Sequence, residues 1–152
     1  MANKDNPGRG AQFERLVQRF FARRRMPLRL NYSVPVGFDG KHGPYRFDLG
    51  SEQPPVIVEC KRHTWTATGN TPAAKLAVWM QAMLYFVAAP RRYRRILAVL
   101  RDVRRGQTLA EYFLQHYGHL VPGNVEIWEL APSGRSGRQL TPRRGSTLGS
   151  AP

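Results

Sequence analysis

Apolar residues recur at Phe13, Leu16, Val17, Phe20 and Phe21, the spacing of one helix face. They predict an amphipathic helix over roughly residues 10–25, with Glu14 at the border of its apolar stripe and Pro27 as its terminator. The period then changes. Leu28, Leu30, Tyr32, Val34 and Val36 alternate with other residues and predict a strand with one buried face, Pro35 marking its end or an edge position. Gly37 to Gly43 reads as a turn-rich loop. In the next strand, Tyr45, Phe47 and Leu49 are expected on one face and Arg46 and Asp48 on the other. Gly50 to Pro55 reads as a turn, and Val56 to Lys61 as a further strand.

Residues 62–70 form a polar connection. Thr71-Pro72 has the chemistry of an N-cap followed by proline at the first helical position. The helix it opens, about 72–88, is apolar almost all round, interrupted by Lys75 and Gln81, and is expected to be central and buried until Pro90 stops the chain. Ile96 to Leu100 reads as a buried strand. Thr108-Leu-Ala-Glu111 is a capping box, predicting a helix to about Tyr117 with Gly118 as its C-cap. In the last strand, Val125 to Leu130, Val125, Ile127 and Glu129 share one face and alternate against Glu126, Trp128 and Leu130. Residues 1–9 are expected to be a flexible tail, and 131–152 a disordered basic Gly/Ser/Pro/Arg tail, relieved at most by a short strand at Arg138 to Leu140. The folded domain is therefore expected at 10–130, an α/β fold whose mixed central sheet is flanked by helices.

The chain of 152 residues suits one domain, and its 41% hydrophobic content is too high for a disordered protein. No apolar run reaches the eighteen or so residues of a membrane span, and the first residues lack the apolar core of a signal peptide. The single cysteine, Cys60, excludes an intramolecular disulfide and fits a reducing cytoplasm. His42, His63, His116 and His119 show no zinc-site spacing. Charge changes the picture more. There are 24 Lys+Arg against 10 Asp+Glu, a formal net charge of +14. Arginines cluster at 23–25, 91–95, 101–105 and 143–144, and favour a polyanionic partner through counterion release. Without a basic helix that exposes an apolar face, a membrane surface is the weaker choice.

The candidate chemistry lies in Phe47-Asp48-Leu49 and Ile57-Val58-Glu59-Cys60-Lys61. Side chains at i and i+2 of a strand share a face, so Glu59 and Lys61 project together. A hairpin through Gly50 to Pro55 would let Asp48 and Glu59 converge. Charges that interrupt apolar strands need compensation, because burying them unpaired costs several kcal/mol, on the order of a whole protein's stability. A divalent cation supplies it: two carboxylates and a backbone carbonyl bind a hard ion, with water completing the shell. Lys61 could then orient or deprotonate an attacking water, or stabilise a phosphorane-like transition state.

In this arrangement the sequence resembles the PD-(D/E)-x-K nuclease superfamily over about residues 10–130. Gly10-Ala-Gln-Phe-Glu14 opens the first helix, Asp48 ends the second strand, and Glu59-Cys60-Lys61 closes the third. Gln81-Ala-Met-Leu-Tyr85 is similar to the Q-x-x-x-Y motif of the recombination-exonuclease branch, whereas Phe47 stands where the family often has proline. The resemblance implies a restriction-endonuclease-like αβββαβ core and magnesium- or manganese-dependent DNA cleavage. It implies metal binding by Glu14, Asp48, Glu59 and the Cys60 carbonyl, and catalysis by Asp48, Glu59, Lys61, Gln81 and Tyr85. Arg62, His63, Lys75, Arg91, Arg92, Arg94 and Arg95 are the expected nucleic-acid contacts. A homodimer would suit a junction-resolving role, and a bacterial source would place the protein at the nucleoid. The competing readings are a non-catalytic nucleic-acid-binding module of the same fold and an RNA- or ribosome-associated basic protein. Trp65, Trp79 and Trp128 read as core or edge packing.

Overall fold

The structure is a computed structural model that describes residues 7–142 apart from 69 and 71. Thr71, the expected cap, and the expected tail segments 1–6 and 143–152 lie outside the described residues. In chain order the elements are α1 (Pro7–Ala22), β1 (Arg29–Phe38), β2 (Lys41–Glu52), β3 (Pro55–Lys61) and α2 (Ala73–Ala88). Then come β4 (Arg94–Leu100), β5 (Val103–Arg104), β6 (Gln107–Thr108), α3 (Leu109–Tyr117), β7 (Val125–Leu130) and β8 (Gly137–Thr141). Among the described residues, six strands make one mixed sheet in the order β1-β2-β3-β4-β7-β8, and β5 and β6 form a separate small ribbon. β3, β4 and β7 run parallel, while the other neighbours in the main sheet are antiparallel. Parallel neighbours need crossovers, which α2 and α3 supply.

Two apolar cores lie on opposite faces of the sheet. Val17, Phe20 and Phe21 of α1 pack on Leu49, Val58 and Trp128. Trp79 and Phe86 of α2 and Phe113 of α3 pack on Phe47, Ile57 and Leu97. The α1 stripe is as expected, but the helix stops before Pro27. Arg25 takes a left-handed conformation (φ 61°), and the Met26 and Arg25 amides donate to the Phe21 and Ala22 carbonyls, each at 3.0 Å. This is a Schellman turn, at whose left-handed position glycine is favoured and an L side chain costs about 1 kcal/mol.

The expected loop at Gly37 to Gly43 is instead the tip of a long hairpin. Phe38 pairs with Lys41, and Asp39 and Gly40 both have positive φ (54° and 77°), the two-residue turn that matches strand twist. The expected faces of β1 and β2 also change. Leu28, Leu30 and Leu49 join the α1-side core, whereas Tyr32, Val34, Tyr45 and Phe47 join the α2-side core. The exchange falls between the pairs Leu30–Leu49 and Tyr32–Phe47, where Asn31 is left-handed (φ 56°). One left-handed residue breaks strict alternation, and asparagine tolerates that conformation better than most side chains. A Cβ on Gly50 would lie 2.3 Å from the Tyr32 ring, so only glycine admits the ring there.

Two further expectations need correction. α2 is not buried all round: Val78, Leu84 and Val87 remain exposed, because the sheet and α3 cover only one side of it. The segment after Ala131 is not a tail up to residue 142: the short strand allowed at Arg138 to Leu140 is present, as β8 (Gly137–Thr141). β8 pairs with β7, and Arg138 pairs with Glu129 and Glu111. Glu129 is 1% exposed, so the strand that brings it a cation has a strong reason to stay in place. The capping box at Thr108 and Glu111 is present in both directions, and Gly118 caps α3 as expected.

Candidate functional site

The backbone pairing of β2 with β3 runs from Glu52–Pro55 to Leu49–Val58 and goes no further. At the next position the Asp48 carboxylate, not a main-chain carbonyl, accepts the Cys60 N–H at 2.8 Å. The strands part there, at the C-terminal end of parallel strand β3, the end where open α/β sheets place their ligand sites. Glu59 and Lys61 share one face of β3, as expected, with Lys61 Nζ 3.4 Å from Glu59 Oε2. The hydroxyl of Tyr45 donates to the other oxygen of Glu59 at 3.2 Å, and its ring stacks on Tyr85 at 3.7 Å. From the opposite layer, Glu14 of α1 comes within hydrogen-bonding reach of Asp48.

This crowding perturbs all three carboxyls. Burial, then the Asp48 charge and a hydrogen bond with Asp48, push Glu14 up to about 7. Burial and Asp48 push Glu59 up to about 7, although Lys61 and Tyr45 act in the opposite direction. Burial raises Asp48 too, against the pull of the Cys60 N–H and Lys61. Among the described residues, no three His, Cys, Asp or Glu side chains are already arranged around a metal ion. The donors themselves suit a hard cation. Glu14, Asp48 and Glu59 bring only oxygen, and Cys60 lies between Glu59 and Lys61 with a thiol whose pKa is held high by burial and the carboxylates.

The raised acids have a consequence for the metal-free protein. Glu59 binds a proton in the folded state at pH values where the unfolded chain has released it. Stability is therefore full below the unfolded value near 4.5 and falls as pH rises towards about 7. Glu59→Gln removes this titration. In chelator, thermal unfolding of the variant and the wild type should agree near pH 4, and the variant should be the more stable at pH 8, by at most ~3 kcal/mol. Parallel stability curves across that range would rule out the raised Glu59.

The other expected residues are scattered. Gln81 is exposed, one turn before Tyr85 on α2. Arg62 and His63 follow Lys61 directly, with His63 Nδ1 accepting from Trp79 Nε1 at 2.9 Å. Lys75 approaches the Thr64 carbonyl at 3.4 Å and so braces the 62–70 connection. The 91–95 arginines lie at the other end of the sheet. Arg94 pairs with Val56, five residues before Lys61, or about 17 Å along the strand. Arg95 is buried and donates to the carbonyls of Phe86, Ala89, Pro90 and Tyr93, closing the end of α2, so it is not a nucleic-acid contact. Arg92 and Arg94 are paired with Glu52 and Glu126. Trp79 and Trp128 are core residues and Trp65 packs at a core edge, as expected.

Tyr45 and Arg46 were missed by sequence reasoning. Arg46 acts electrostatically on both Glu14 and Asp48. Alternation puts Tyr45 with Phe47 as core, and nothing in its spacing marks it. Only the parting of β2 from β3 sets its hydroxyl beside Glu59.

Fold and site together define an α/β protein with a mixed sheet and a buried carboxylate–lysine cluster where two strands part. No family model, no curated protein and no solved structure matches the chain. No helix among the described residues is long and apolar enough to cross a membrane.

Proposed function

We propose that this chain is a metal-dependent nuclease of the PD-(D/E)-x-K superfamily that hydrolyses phosphodiester bonds in DNA. One observation carries the reading: where adjacent strands part, Asp48 accepts the Cys60 N–H at 2.8 Å, close enough for its charge to act on Glu59, and Lys61 lies 3.4 Å from Glu59. The order α1-β1-β2-β3-α2-β4 resembles the αβββαβ core of the restriction-endonuclease-like fold, and Glu14 and Tyr85 fall on the helices where that resemblance wants them. Asp48, Glu59, Glu14 and the Cys60 carbonyl would hold magnesium or manganese. The ion would polarise the phosphate and lower the pKa of the attacking water. Lys61 orients that water or donates to the oxygen charge that grows at phosphorus. Tyr45, backed by Tyr85, holds the Glu59 carboxylate in place. Water oxygen bonds to phosphorus, the P–O ester bond breaks, and the leaving oxygen takes up a proton.

The test is incubation of the purified protein with supercoiled plasmid, linear duplex and a four-way junction, in magnesium, manganese or chelator. Cutting of at least one substrate is expected, only with metal. If no substrate is cut in either metal and duplex affinity is the same with and without it, the protein is a binding module of this architecture instead.

A further inference from the structure

The arginines of α1 have no role in the site just described. Arg15, Arg19 and Arg23 are exposed and spaced by four residues, so they form a line along the outer face of the helix. Like charges at this spacing destabilise a helix, and Glu14 is the one acid in α1. Among the described residues, the ion pairs of the protein use Lys61, Arg92, Arg94 and Arg138, and none involves an arginine of α1.

The line ends at a pocket of about 460 Å³ lined by Arg23, Arg24, Arg25, Arg94 and Trp128 among others. The Arg24 guanidinium lies over the rings of Phe20 and Trp128, at 4.3 and 5.6 Å, and the residue stays exposed to an outside acceptor. Arg23 is anchored by a hydrogen bond to the Gly134 carbonyl. Arg25 occupies the left-handed position of the Schellman turn, where glycine would be unstrained. A charged side chain kept at a strained site, beside three other arginines, points to a ligand.

We infer that this face of α1, from Arg15 to the Arg23–Arg25 pocket, seats the phosphodiester backbone of duplex DNA. The inference rests on the DNA reading above and adds the surface that holds the substrate. The line spans eight residues, about 12 Å along the helix axis, close to the width of the B-DNA major groove. Phosphates flanking one groove can therefore meet its two ends. Glu14, one residue before Arg15 in α1, interacts with Asp48, so the Arg15 end of the seat is the end nearer the carboxylate cluster.

The test is fluorescence anisotropy of a labelled duplex with the full chain in chelator, across a range of KCl concentrations. The triple variant Arg15→Gln, Arg19→Gln, Arg23→Gln should bind at least ~10-fold more weakly, and its slope of log affinity against log salt should be shallower by about 2 to 3. Arg25→Gly should flatten the slope by about 1 while unfolding at an equal or higher temperature, which separates lost contact from lost fold. Arg105→Gln, in the exposed turn between β5 and β6 on the α2 side of the sheet, should change neither quantity. Unchanged slopes in the α1 variants would overturn the inference, as would a triple variant that loses anionic vesicles but keeps duplex. Binding is read without cutting. Flattened slopes in a protein that cuts nothing would leave the seat standing and remove the nuclease reading. Normal slopes in a protein that cuts would do the reverse.

Discussion

Lys61→Met should lower DNA cleavage by about 10³-fold, or ~4 kcal/mol of transition-state stabilisation. Methionine keeps the length of the side chain and loses its charge. In the fold the ammonium lies 3.4 Å from Glu59 and is only 18% exposed, so it is ordered before substrate arrives. If Lys61 acts on the water or on the developing charge, kcat carries the loss and KM changes little. Lys61→Arg restores a positive charge but not a compact ammonium, and should recover only part of the rate. Asp48→Asn is the companion test. The asparagine oxygen can still accept the Cys60 N–H, so the strands keep their junction while the site loses a negative charge. Circular dichroism should show both variants folded. Cleavage by Lys61→Met within tenfold of the wild type would remove Lys61 from the chemistry.

Arg138→Met should have the largest effect on stability. Glu129 is buried, and Arg138 from β8 is its cation; the same guanidinium holds Glu111 at 2.9 Å. Removing one partner of a buried pair typically costs 3–5 kcal/mol, because the other charge stays buried and uncompensated. Arg138 is half in solvent, so the expected loss is about 3 kcal/mol, the lower end of that range. In urea the unfolding midpoint should fall. Adding Glu129→Leu should restore most of the loss, since an apolar pair of similar size has no charge to desolvate. A loss below about 1 kcal/mol would mean that Glu129 finds water or another donor.

Much of this protein is legible where neighbours in the chain decide the outcome. The spacing of Phe13, Val17 and Phe20 makes α1 whatever it packs on, and Thr108 and Glu111 cap α3 through contacts three residues apart. The placement of Glu59 and Lys61 on one face follows from strand geometry alone. Elements fail to be legible where the partner is distant. Glycines, prolines and arginines after Ala131 look like a tail until β7 needs an edge strand and Glu129 a cation. Arg95 looks like one more phosphate contact until the end of α2 arrives beside it with four carbonyls to satisfy. Asn31 exchanges the faces of two strands through a single backbone angle that no periodicity reports.

The sequence by itself therefore determined the order of α1, β1 to β3, α2, β4, α3 and β7, though not the β5–β6 ribbon, and it determined the strands that bear Asp48, Glu59 and Lys61 and the strongly positive charge. Tertiary structure alone decided which charges are free and which are consumed. It parted β2 from β3 around Asp48 and brought Tyr45 to Glu59. It left the arginines of α1 without carboxylate partners among the described residues, whereas Arg92 and Arg94 are paired with Glu52 and Glu126. The division has one cause. Periodicity and capping act over a few residues, whereas a charge is spent or spared by whatever the folded chain places within about 4 Å of it.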